Sequence, residues 1–221
     1  MKKEALTISK TENITKAYTE YILENGHKPA SIFSFCKILG ITENDFYDEF
    51  STFEHIEAAV WKMMFENTLI KTKAEKVYEG YSAREKLLAV YFTWVEVLKS
   101  NRSFILATNS NFKKPLFMHK NAQLADFKAS FYDFANALIM EATENQEIEK
   151  RAIPQIMQRY PDLFWSKTLY ILDFWMNDTS KLFEKTDTLI EKTVNTSFDL
   201  LARSPLDSLF DLGKFIFQNK K

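Results

Sequence analysis

Glycine and proline are scarce in this chain of 221 residues, at four and five, and cysteine occurs once. So few chain breakers argue against many short strands joined by tight turns and favour long helices. The lone Cys36 excludes an internal disulfide and suits a reducing compartment. The three histidines, His27, His55 and His119, lack metal-ligand spacing, and no glycine-rich phosphate loop or nucleophile motif is present. Neither a metal, a cofactor nor catalysis is therefore expected. No apolar run approaches the roughly 18 residues of a membrane span. The opening MKKEALTISK leads into no apolar stretch, so no signal peptide is expected. A net charge of −1 gives the whole chain no general attraction for polyanions. These absences together predict a soluble cytoplasmic protein.

Aromatic residues are plentiful. The chain is 46% hydrophobic, and its 20 phenylalanines lift the aromatic share to 15%. That ring volume points to a wide apolar cavity or a large subunit interface. Apolar residues recur at spacings of three and four throughout, with no alternating strand pattern and no internal repeat. Hydroxyl–carboxylate pairs three residues apart, which can satisfy the free amides of a first helical turn reciprocally, occur at Ser9/Glu12, Thr42/Asp45, Ser51/Glu54 and Ser82/Glu85. A fifth, Ser204/Asp207, has Pro205 at the first helical position. These signals predict helices near 10–25, 43–50, 52–78, 83–100 and 205–218, and the periodicity adds 31–38, 121–145, 147–159, 162–177 and 179–202. The stretch 108–121 reads as the longest loop. The architecture is therefore all-α, with a small head over 1–52 and a larger bundle over 53–221, joined by a long helix from about 52.

In the head, Gly26 ends the first helix, Ile32 to Cys36 form the second, and Gly40-Ile41-Thr42 make a turn. Phe46-Tyr47 and Phe50 follow, and then Glu54, Ile56, Ala59 and Val60. Over roughly residues 10–65 this pattern resembles the TetR family of bacterial transcriptional regulators. The resemblance implies a helix-turn-helix head that binds a DNA operator, and a body that dimerises and senses a small hydrophobic molecule. It places Lys28, Lys37, His27 and Tyr47 at phosphates, and Thr42 and Asn44 at base edges. The chemistry departs from that pattern. Positions on and just after the reading helix, where the family has small or basic residues, carry Glu43, Asp45, Asp48, Glu49 and Phe53. Residues 1–60 hold six lysines, no arginine and ten carboxylates, a net charge of −4, whereas DNA-bound domains are generally basic. Glu43 and Asp45 can act as helix-dipole complements, but Asp48 and Glu49 lie beyond the first turn.

In the body, Trp94, Phe104, Phe117, Phe127, Phe131, Phe134 and Trp165 are the expected lining of a hydrophobic ligand pocket, with packing alone as the alternative. The helix at 162–177 is apolar nearly all round. With the helix at 179–202 it predicts a four-helix homodimer interface through Leu163, Tyr170, Phe174, Leu189, Ile190, Val194 and Ser197. The segment FWMNDTSKLFEKTDTLIEKTV and the terminal helix also resemble the lipid-binding proteins of ubiquinone biosynthesis. Those share the TetR fold, do not act as repressors, and use a terminal amphipathic helix at membranes. In this chain, a terminal helix that covers its own bundle is the favoured expectation over membrane contact. Two functions follow: a TetR-like regulator whose DNA binding answers to a hydrophobic ligand, or a ligand- or lipid-binding protein that keeps the head as structure.

Overall fold

The computed structural model describes residues 9–108, 122–149 and 157–202, with Ile216 and Gln218 beyond them. All regular structure among these residues is helical. The helices are α1 (Lys10–Asn25), α2 (Ile32–Leu39), α3 (Glu43–Tyr47), α4 (Phe53–Lys73), α5 (Ala83–Ser100), α6 (Arg102–Thr108), α7 (Ala125–Glu144), α8 (Tyr160–Asn177) and α9 (Glu184–Ala202). Single 3-10 turns occur at Tyr78–Gly80, Ala122–Leu124 and Lys181–Phe183. The chain divides into two compact units: one takes the described residues of 1–69 and 94–130, the other those of 70–93 and 131–221. This division does not follow the sequence-based boundary near 52, because α4, α5 and α7 each run from one unit into the other. Phe117, Phe112, His119, most of the expected helix at 147–159 and the terminal helix with its Ser204/Asp207 pair lie outside the described residues.

The local signals place the helix ends well. Ser9 and Glu12 cap α1 reciprocally, and Thr42 and Asp45 do the same for α3. At α5 the Ser82 amide donates to Glu85 at 2.8 Å. Gly26 and Gly40 end α1 and α2 with φ of 72° and 71°, the left-handed conformation that β-carbon sterics disfavour. A β-carbon at Gly40 would meet nothing within 4 Å, so its cost is backbone strain alone. Gly40→Ala is expected to cost about 1 kcal/mol, or roughly 2–4 °C in melting temperature. An unchanged melting curve would rule out the left-handed turn.

Four expectations need correction. The start of α4 uses Thr52 in place of Ser51: the His55 amide donates to the Thr52 hydroxyl at 3.3 Å. That helix ends at Lys73 and not at 78, because Tyr78 turns inward to 5% exposure with the Lys86 ammonium 5.4 Å from its ring centre. A helix, α6, occupies 102–108, which the sequence reading left unassigned. Finally, the expected helix at 179–202 is interrupted. Leu182 and Phe183 both take positive φ, 56° and 63°. Phe183 thereby packs on Trp175 at 5.8 Å, while Asp178 accepts hydrogen bonds from Ser180 and from both the amide and hydroxyl of Thr186. Burial pushes the Asp178 carboxyl up, but these bonds outweigh it and hold the group at about 2.

Candidate nucleic-acid interface

The head is held by rings. Tyr18 stacks on Phe53 at 5.2 Å and meets Phe35 edge-on at 5.9 Å, and Phe46 sits edge-on to Phe35 and Phe53 at 6.3 and 6.0 Å. Each such pair adds roughly 0.5–1.5 kcal/mol to plain area burial. Phe53 is therefore half-buried as part of this ring cluster. Because Phe46 and Phe50 point inward, Asn44 and Tyr47 on the same short helix stay outside, Tyr47 at 52% exposure. Lys37 is exposed in the last turn of α2, and Thr42 is exposed at the turn with its hydroxyl engaged by Asp45. The structure thus brings Lys37, Thr42, Asn44 and Tyr47 onto the turn and the two helices flanking it. Thr42 serves there first as a cap.

Lys28 is different. Its ammonium donates to Glu54 at 3.0 Å and to Glu57 at 3.1 Å, and Glu57 is completely buried. Burial pulls the Lys28 ammonium down, yet the two carboxylates prevail and raise it above the usual lysine range. Glu57 also accepts from the Tyr18 hydroxyl at 2.7 Å and from the Gln123 amide. Burial, reinforced by Glu57, pushes the Tyr18 hydroxyl far up, so it stays a donor. An unpaired buried carboxylate would cost several kcal/mol. The cation of Lys28 is thus engaged by two carboxylates of the head, with 30% of its side chain exposed, and is not free for a phosphate.

The acidic residues of the reading segment divide in two. Asp45 accepts from Lys10 of α1 at 2.6 Å, and Glu49 accepts from the Thr11 hydroxyl of α1. The bonds from Lys10 and Thr42 hold the Asp45 carboxyl well below the ordinary aspartate range. These two acids are ties between α3 and α1. Glu43 is exposed, and Asp48 reaches Lys10 only at 3.9 Å, with 72% of its side chain in water. The acids without a tie to α1, apart from that distant contact, are therefore Glu43 and Asp48, while Glu49 is tied but still exposed. Against them, Lys10, Lys16 and Lys28 each have a carboxylate partner, and Lys37 is the one lysine without one among the described residues of the head.

In the body, the aromatic residues expected to line a pocket pack on one another. Phe127 contacts Trp61, Phe65 and Trp94 at 6.1, 5.0 and 5.5 Å, and Phe131 meets Phe134 and Trp165 at 6.2 and 5.5 Å. Trp94, Phe104, Phe127, Phe131 and Trp165 are all 1% exposed or less, and Phe134 is half-buried. The described grooves are lined by other residues. Of the expected dimer residues, Ile190, Val194 and Ser197 are buried within their own unit, at 0, 1 and 4% exposure. Ile190 and Val194 thus pack inside the unit, whereas Ser197 also lines a surface groove with Leu163 and Leu200. Leu163, Phe174 and Leu189 are half-buried and Tyr170 is 47% exposed, so they remain on the surface of the α8–α9 pair, beside Leu200 at 51%.

A family model described as the tetracyclin repressor-like, C-terminal domain matches residues 86–216, more than half of the chain. The chain belongs to the TetR family. A comparison with curated proteins finds no match. The match begins in α5 and covers the body, and the head lies outside it. No helix among the described residues is long and apolar enough to cross a membrane. The residues that sequence reasoning missed in this TetR head are Lys10, Thr11, Glu57 and Gln123. Their partners lie 29 to 66 positions away, beyond any local pattern. Only the single carboxylate Glu57 amid an apolar helical stripe marked the site.

Proposed function

We propose that this chain is a cytoplasmic, non-enzymatic, homodimeric TetR-like transcriptional regulator whose heads bind DNA weakly. Its DNA affinity would respond to a small hydrophobic ligand in the C-terminal domain. The observation that carries this reading is the division of labour on α3. Phe46 is locked in the ring cluster and Asp45 is tied to α1, which leaves Asn44 and Tyr47 facing outward on a rigid support beside Lys37. A base-edge contact from Asn44, with Tyr47 and Lys37 at phosphates, follows the usual geometry of such heads. A ligand that alters the spacing of two heads would alter their fit to successive major grooves.

One observation favours a second reading. With Lys37 the sole unpaired lysine in the described head, few counterions can be displaced from DNA. A TetR-fold protein that binds a hydrophobic ligand or lipid and keeps the head as scaffold would look the same.

Fluorescence anisotropy with the chain's own upstream DNA separates the two. Under the regulator reading, affinity falls with salt along a shallow slope. Glu43→Lys and Asp48→Lys together are expected to steepen the plot of log K against log salt by about 2, at roughly 0.9 per new phosphate contact. If neither the wild type nor the double variant binds, the regulator reading is lost and the second stands.

A further inference from the structure

We propose that a groove between α1 and α4, walled at one end by α5, is a binding site for small lipophilic cations. It encloses about 590 Å³, within the range of about 300–1,000 Å³ typical of small-molecule sites. The apolar wall is Val60, Met63 and Met64 of α4 with Val97 of α5. Methionine is unbranched and polarisable and adapts to ligands of varied shape. Met63 stays 51% exposed, a large apolar side chain facing an open space. The opposite wall, from α1, is polar: Thr15 and Thr19 supply hydroxyls, and the charged groups are Glu12, Lys16 and Glu20. Asn67 and Asn101 complete it with neutral amides.

The charge balance favours a cation. Two carboxylates face one ammonium; Glu12 also accepts from the Ser9 amide at 2.9 Å as the cap of α1, and Lys16 is drawn toward Glu20 at 3.9 Å. An apolar anion would meet the two acids, whereas an apolar cation satisfies them while its hydrocarbon covers the methionines. The site is separate from the body's aromatic residues, and its occupancy can be read without reference to DNA. It also has a mechanical position, because α1 carries Lys10 and Thr11, the residues that hold α3.

Tetraphenylphosphonium and tetraphenylborate have nearly the same shape and opposite charge. Calorimetric titration of the full chain is expected to show saturable phosphonium binding about tenfold tighter than borate binding, because the exposed acids attract one and repel the other. Glu20→Gln should weaken phosphonium binding about threefold, and Lys16→Gln should strengthen it about threefold. Met63→Trp, at an exposed position, should fill the groove and reduce affinity at least tenfold with helicity unchanged. Asn67→Trp repeats that test from a second exposed position of α4. Borate binding as tight as phosphonium overturns the proposal, and so does full phosphonium affinity in both tryptophan variants.

Discussion

Replacing Lys28 with methionine is expected to destabilise the protein by about 3 kcal/mol, the low end for stripping one partner from a buried ion pair. For a chain of this length that corresponds to a fall of about 6–12 °C in melting temperature. The reason lies in Glu57, which is completely buried and would keep only the neutral donors Tyr18 and Gln123. An ordinary surface lysine would cost a few tenths of a kcal/mol at most. Replacing both partners, as Lys28→Met with Glu57→Leu, is expected to recover most of the loss, since two apolar side chains leave no stranded charge. Calorimetry of the single and double variants decides it. A drop below about 2 °C in the single variant would show that the lysine is not part of the head's interior.

The second large effect distinguishes a subunit interface from a core on the same helix. Light scattering of the wild type is expected to give twice the 25.9 kDa chain mass. Val194→Asp buries a charge at a position 1% exposed, so the chain should unfold and not merely dissociate. Leu200→Asp changes a residue 51% exposed six positions later. It should leave helicity intact and shift the mass to that of one chain. Leu163→Asp should behave like Leu200→Asp, because Leu163, Thr193, Thr196 and Leu200 line one groove on the α8–α9 surface. A folded monomeric wild type, or a fully dimeric Leu200→Asp, would remove this face from the interface.

Helix boundaries were legible in the sequence because their causes are local. Ser9/Glu12, Thr42/Asp45 and the two left-handed glycines act over three or four residues, and periodicity does the rest. The breaks at Tyr78 and Leu182 were not legible, since each is imposed by a tertiary contact that overrides helix propensity. The same limit affected the site. A run of acids on α3 reads as repulsion toward DNA only while their partners are unknown. Once Lys10 and Thr11 are placed opposite Asp45 and Glu49, two of those acids become ties to α1, and one of them is neutralised by a lysine. Lys28 went the other way: an isolated lysine in sequence turned out to neutralise a buried acid 29 positions later. Of the aromatic residues expected around a pocket, Trp94, Phe104, Phe127, Phe131 and Trp165 are buried, and composition cannot separate rings packed on one another from rings around a cavity.

The pairing of α3 with α1 also bears on how such a protein can change over generations. At positions 45 and 49, a basic replacement would gain a phosphate contact only by undoing a tie that holds the reading helix. At positions 43 and 48 the same replacement leaves those ties in place, since Glu43 faces water and Asp48 keeps only a distant contact with Lys10. Two single-residue steps toward a more basic surface are therefore open without loss of these ties, and two are closed. On the proposed reading, the acidic surface is an adjustable setting: charge at two positions can change while the scaffold beneath stays the same.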